Sequence, residues 1–177
     1  LDCLPWTRTL RHWQNRVCFL RKFAGDSQPW PDVSDDGLLQ YLAQWLAPHL
    51  TGITRLRELA KIELKKALVG MLSYPQLRRI DELAPTHLTV PSGSRIPIDY
   101  SGDVPVLAVR LQEMFGLSET PAVADGRQPL LIHLLSPAGR PVQITRDLAG
   151  FWQTGYREVK KELKGRYPKH YWPDDPL

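Results

Sequence analysis

Leu88-Thr89-Val90-Pro91-Ser92-Gly93-Ser94-Arg95-Ile96-Pro97-Ile98-Asp99-Tyr100 is the stretch at which the hydrophobic period of this chain changes. Leu88 and Val90 flank Thr89, and Ile96, Ile98 and Tyr100 alternate in the same way, the spacing of residues that share one face of a strand. Residues 91–94 between them are turn formers, so the stretch reads as a β-hairpin. Everything before it recurs with a period near 3.6. The fold class is therefore α+β, with helices first and a sheet after them.

Upstream, Trp6, Leu10, Trp13, Val17 and Leu20 recur in steps of four and three and trace one stripe of a helix that Gly25-Asp26 would stop. Ser34 is placed to cap a second helix, with Asp35 and Asp36 in its first turn and Leu38, Leu42, Trp45 and Leu46 on its buried face. Pro48 and Gly52 close it. Thr54 starts a third helical stretch that bends near residues 60–62 and reaches Leu72, and Pro75 opens a last helix with Leu77, Ile80 and Leu83 inward. Residues 1–84 are thus expected to form a helical bundle ending at Ala84-Pro85.

Downstream, Asp103 caps an expected helix with Pro105 in its first turn, Leu107, Leu111, Met114 and Phe115 inward, and Gly116 as its stop. Residues 129–135 read as an apolar strand interrupted by His133, residues 137–140 as a turn, and residues 142–144 as the returning strand. Strand, strand, helix, strand, strand over residues 85–152 suits a small OB-like β-barrel, of the oligonucleotide-binding class, with an inserted helix and with Ala122-Val123-Ala124 as its fifth strand. Residues 153–177 follow as a basic C-terminal helix, over about 156–164, anchored by Phe151 and Trp152. Pro168 and Pro173 exclude a helix beyond it, so the tail runs extended.

The 177 residues carry 23 Lys plus Arg against 19 Asp plus Glu, a net charge of +4, and 42% are apolar, too many core formers for a disordered chain. No apolar run approaches the ~20 residues of a bilayer span, so membrane insertion is not expected. Cys3 and Cys18 cannot build a disulfide framework and would lie roughly 22 Å apart along one helix, which fits free thiols in a reducing compartment. The opening Leu1-Asp2-Cys3 has no initiator Met and reads as the interior of a longer chain.

His12, His49, His87, His133 and His170 fall on separate elements without His-x-x-x-His or Cys-x-x-Cys spacing, so no metal site is expected. His133, among Leu and Ile, reads as a core histidine bonded to backbone. Capping and the helix dipole account for Asp32, Asp35 and Asp36. Neither Gly-x-x-x-x-Gly-Lys-Ser/Thr nor Gly-x-Gly-x-x-Gly is present, so there is no recognisable cradle for nucleotide phosphates and no catalytic residue is assigned.

Residues 157–169 hold six basic and two acidic side chains, a local charge equal to that of the whole chain. Arg157, Lys160 and Lys164 recur on one helical face, Arg166 and Lys169 continue the charge, and Tyr167 and Trp172 interleave rings with it. Cations beside flat rings are what a single-stranded nucleic acid requires for its phosphates and base faces. Arg95 and Arg140, at the two hairpin turns, are a second place for phosphate contact. The same spacing also pairs Glu158 with Lys161 and Glu162 with Lys160 or Lys164, which would make the stretch an ordinary solvated helix face.

Trp30-Pro31-Asp32-Val33-Ser34-Asp35, Trp45-Leu46-Ala47-Pro48, Leu83-Ala84-Pro85-Thr86-His87 and Val90-Pro91-Ser92-Gly93-Ser94-Arg95 together resemble the C-terminal part of the HrpB family of bacterial DEAH-box helicases. Pro105-Val106-Leu107-Ala108-Val109-Arg110-Leu111-Gln112-Glu113, His133-Leu134-Leu135-Ser136-Pro137, Arg140-Pro141-Val142-Gln143 and Asp147-Leu148-Ala149-Gly150-Phe151-Trp152 follow in that family's order. Arg166-Tyr167-Pro168-Lys169-His170 with Trp172-Pro173-Asp174-Asp175-Pro176 resembles its ending, with Lys164 and Tyr171 standing where the family has Arg and Pro.

The resemblance implies an intact ATP-dependent RNA helicase of the bacterial cytoplasm whose ATPase domains precede Leu1. ATP and Mg would be bound there, and this segment would hold no cofactor and have no ATPase activity of its own. The implied partners are single-stranded RNA or DNA and the N-terminal ATPase domains of the same chain. A reading from another class is a protein-interaction module that docks those domains, or another partner, through exposed Trp6, Trp13 and Trp30 without touching RNA.

Overall fold

A computed structural model of the protein describes residues 1–23 and 29–177. Two compact units divide it, Leu1–Ala84 and Pro85–Leu177.

The first unit begins with α1 (Arg8–Arg21), capped by Thr7, whose Oγ1 accepts the Leu10 N–H at 3.2 Å. Leu10, Val17 and Leu20 of the expected stripe are buried, and Trp6 and Trp13 are half-buried. The expected stop at Gly25-Asp26 lies outside the described residues. Trp30, expected to be exposed, is buried, and the Arg21 guanidinium donates to its carbonyl at 3.0 Å. α2 (Asp35–Gln40) starts where Ser34 Oγ accepts the Gly37 N–H. Gly37 lies so close to the Asp32 carboxylate that a Cβ there would meet it at 2.5 Å, which leaves room only for glycine.

The second predicted helix is broken at Tyr41 (φ −106°) and resumes as α3 (Leu42–Trp45), followed by a 3-10 turn over Ala47–His49. The break resets the helical phase, so Leu42 points outward while Trp45 and Leu46 stay buried. The third predicted stretch is a 3-10 segment, Leu56–Lys61, and then α4 (Leu64–Val69), separated at Ile62 by an extended residue. Thr54 does not cap it. The Glu58 carboxylate instead accepts the Thr54 and Arg55 N–H groups at 2.9 and 3.0 Å. α5 (Tyr74–Leu83) has Pro75 in its first turn and a reciprocal Ser73–Gln76 capping box. Ile80 and Leu83 face inward as expected, but Leu77 is exposed, and its inner place is taken by Gln76, which donates to the Pro29 carbonyl at 3.1 Å.

The second unit is a mixed sheet with helical segments. Its strands are β1 (His87–Thr89), β2 (Arg95–Asp99), β3 (Val106–Arg110), β4 (Ala122–Val123), β5 (Gln128–Pro129), β6 (Leu131–Leu135) and β7 (Pro141–Thr145). The five-stranded sheet runs β1-β2-β3-β6-β7, antiparallel except that β3 and β6 are parallel. β1 and β7 are its two edges, so the sheet is open and the expected closed barrel is not formed. Ala122-Val123 does not supply a fifth barrel strand; it pairs with β5 as a separate hairpin.

The largest departure from the sequence reading is β3, which lies where the inserted helix was expected. Leu107 and Val109 are buried while Ala108 and Arg110 face out, a period of two, and the β-branched valines suit a half-buried pleat. Only Leu111–Met114 turns helically, as a 3-10 segment. Ile132 and Leu134 of β6 are fully buried, whereas His133 is half-buried on the other face, between Ala108 and Ile144. His133 is therefore not a core histidine.

α6 (Leu148–Gly150) leads through a π-helical turn, Phe151–Gly155, into α7 (Tyr156–Arg166). Phe151, Trp152, Tyr156 and Leu163 are buried, as the anchoring role of the first two requires. Residues 167–177 contain neither helix nor strand. Among the described residues no helix is long and apolar enough to cross a membrane.

Candidate nucleic-acid interface

The basic helix is fixed by an aromatic cluster centred on Phe115, whose ring lies 6.1 Å from Trp152, 5.9 Å from Tyr156 and 6.4 Å from Tyr171. Trp152 Nε1 donates to the Leu117 carbonyl at 2.7 Å and the Tyr156 hydroxyl to the Pro173 carbonyl at 2.9 Å, so both buried rings have their polar atoms satisfied. Burial, with Asp174 and Tyr171 nearby, pushes the Tyr156 phenol up to about 12. The tail is tied back by the Gly116 N–H, which donates to the Pro176 carbonyl at 2.8 Å.

This packing sorts the predicted contact residues. Trp172 is only 8% exposed and its indole N–H donates to the Tyr167 carbonyl at 2.9 Å, so its ring is a core anchor and presents no face for a base. Tyr167 is half-buried, edge-on to His170 at 6.0 Å. Lys160 folds back onto the Asp174 carboxylate, and that hydrogen bond, helped by the charges of Lys160 and Lys164, holds the Asp174 carboxyl below the usual carboxylate range. Arg166 pairs with Glu162 at 3.2 Å. Two of the expected phosphate contacts are thus engaged internally.

Arg157, Lys161 and Lys164 are exposed and recur at i, i+4 and i+7, and Lys169 is exposed just beyond them. Among the described residues none of these four makes an ion pair. Lys161 thereby replaces Lys160 on the free face of the helix.

A second group comes from the sheet. β2 runs antiparallel to β3, β3 parallel to β6, and β6 antiparallel to β7, so the start of β2, the end of β3 and the turn before β7 share one end of the sheet. Arg95, Arg110 and Arg140 occupy those three positions, all exposed, and none makes an ion pair among the described residues. Sequence reasoning placed Arg110 in a helix and so missed it. The alternation of Leu107, Val109 and Leu111 was the signal that could have found it.

Residues 45–176 match the family described as ATP-dependent helicase C-terminal. The chain belongs to this HrpB C-terminal family. It is 50% identical over 177 residues to ATP-dependent RNA helicase HrpB of Escherichia coli (strain K12), a match that covers 99% of this chain and 22% of that relative. It is also similar to two solved structures. One, the E. coli DExH-box NTPase HrpB, has a TM-score of 0.88 at 49% identity over 99% of this chain, and the other, the Escherichia coli DEAH/RHA helicase HrpB, has 0.75 at 47% over 97%. Each match covers 22% of the solved chain, so this chain spans about a fifth of its relatives' length.

Thr7, Ser34, Ser73 and Asp147 side chains already accept the N-terminal N–H groups of α1, α2, α5 and α6, and α7 continues directly from the π-helical turn. Among the described residues no glycine-rich turn leads from a strand into a helix. Among them no group of three or more His, Cys, Asp or Glu is placed to hold a metal ion.

Proposed function

We propose that this chain is the RNA-engaging accessory region of an ATP-dependent helicase of the bacterial cytoplasm. It would hold a single strand while ATPase domains elsewhere in the intact protein bind ATP with Mg and hydrolyse it. The observation that carries this reading is the set of exposed cations of the second unit that make no ion pair among the described residues, Arg157, Lys161, Lys164 and Lys169 on the helix and tail and Arg95, Arg110 and Arg140 at one sheet end. Exposed cations outside any ion pair gain by releasing the counterions of a phosphate backbone, whereas Lys160 and Arg166 would first have to leave their carboxylates.

Affinity of the chain for a labelled oligouridylate across a salt series tests it. Four to six contacts at about 0.7 each give a log-log slope of about −3 to −4. No binding, or a flat slope, overturns the reading.

A groove in the first unit favours a second reading. Pro31, Tyr41, Trp45, Pro48 and Met71 line an open cavity of about 520 Å³, and Leu39 and Leu42, which flank Tyr41 in sequence, are exposed. It supports docking of a protein segment, but at a place other than the three tryptophans of the sequence reading. This reading predicts a partner whose binding is insensitive to salt.

A further inference from the structure

We propose that the groove between the end of β3 and the C-terminal tail is a subsite for one nucleotide of a single-stranded RNA, with its base stacked on Tyr171 and its phosphate held at Arg110. The proposal rests on the RNA-engaging reading above and gives that reading a specific place. The groove has a volume of about 420 Å³, enough for a nucleotide, and is lined by Arg110, Gln112, Glu113, Phe115, His170 and Tyr171 among others.

Tyr171 is the reason to place a base there. Tyr171 is 75% exposed, yet the neighbouring residue Trp172 is buried and bonded to the Tyr167 carbonyl, and the Tyr171 ring stands edge-on to Phe115 at an interplanar angle of 84°. The bond from the Gly116 N–H to the Pro176 carbonyl closes the same loop from the other side. An aromatic ring held in place but left open to solvent costs little further ordering when a flat partner lands on it.

The charges orient the ligand. Glu113 would repel a phosphate but accepts the N–H groups on a base edge, and the Gln112 amide and the His170 imidazole add further groups suited to a base. The phosphate therefore belongs at the Arg110 rim, where Arg95 and Arg140 share the same end of the sheet. Mixed charge with one open ring suits a whole nucleotide better than a bare anion.

The test uses the full 177-residue chain and a short oligouridylate carrying 4-thiouridine. Irradiation should cross-link the probe to the peptides containing Tyr171 or Arg110. Tyr171→Ala should weaken binding about five- to a hundred-fold at an unchanged salt slope, Tyr171→Phe should keep the affinity, and Arg110→Ala should reduce the slope by about 0.7. An unchanged unfolding midpoint for Tyr171→Ala shows that the exposed ring was removed without loss of fold. If the chain binds RNA with a steep salt slope but Tyr171→Ala keeps full affinity, or the cross-links map elsewhere, the subsite is overturned and the RNA reading stands. If the unaltered chain does not bind the probe, both are overturned.

Discussion

Arg16 donates its Nε–H to the Ala84 carbonyl at 2.6 Å, joining the middle of α1 to the residue that ends α5 across 68 positions of sequence. The same guanidinium reaches the Ile80 carbonyl at 3.2 Å and the Asp81 carboxylate, and its side chain is 6% exposed. A charged donor thus caps carbonyls that a helix C-terminus leaves without partners. Arg16→Ala should destabilise the first unit by about 2–3 kcal/mol in urea unfolding, because buried carbonyls lose a charged donor. Asp81→Ala should cost less than about 1 kcal/mol, since that carboxylate is 82% exposed.

Asp35 carries an acid-sensitive part of the same unit. A hydrogen bond from Gln14, and then the bond and charge of Arg11, hold its carboxyl below the ordinary range. A carboxylate depressed by folding contributes stability that is present above its unfolded pKa and is lost as pH falls through the lower folded value. The urea midpoint should therefore drop on acidification below pH of about 4, and Asp35→Asn should make that drop shallower while lowering stability at neutral pH. An identical acid profile in the variant would refute the assignment.

The two thiols should differ in reactivity. Burial, reinforced by Asp32, pushes the Cys18 thiol up to about 11, which leaves about one thiolate in a thousand at pH 8. Cys3 is exposed. Iodoacetamide under native conditions should label Cys3 and spare Cys18, and both should react in denaturant, as read by peptide mass spectrometry.

Trp172→Ala should act on the fold. Removal of a buried indole costs about 3–5 kcal/mol, so the second unit should unfold at markedly lower urea, whereas Tyr171→Ala should leave the midpoint in place. A Trp172→Ala protein of unchanged stability but weakened RNA binding would return the ring to the role the sequence suggested.

On α7, replacing Arg157, Lys161 and Lys164 together with Ala should shrink the salt slope for oligouridylate by about 2, at 0.7 for each lost contact, with affinity falling alike for all sequences. Replacing Lys160 and Arg166 should change the slope by less, because each is already paired within the chain.

Local pattern carried the stripe of α1, the Ser34 cap, the β1–β2 hairpin and α7, because a few neighbouring residues decide each of them. β3 was misread for a reason visible in its residues. Leu107, Leu111 and Met114 keep helical spacing, and the competing alternation is only five residues long and is decided by pairing with β6, some 25 positions away. The tail was legible in its charge but not in its packing. Whether Trp172 stacks or anchors depends on how the tail folds back over α7, and whether Lys160 is free depends on Asp174, which comes 14 residues later. The Arg95, Arg110 and Arg140 grouping required the strand order, which no local window contains.

The parallel β3–β6 pair sets the order in which the second unit can assemble. The β1–β2 hairpin closes over a few residues and can form early, but β3 has no neighbour on its far side until β6 has been synthesised and brought back to it. Closure of that long loop must precede the contacts that reward it, so the pairing of Leu107 with Ile132 and of Val109 with Leu134 should be the slow step in the folding of this unit. During translation β3 should therefore wait with one edge of unpaired backbone N–H and C=O groups, and prompt delivery of β6 should keep that edge from pairing with another molecule.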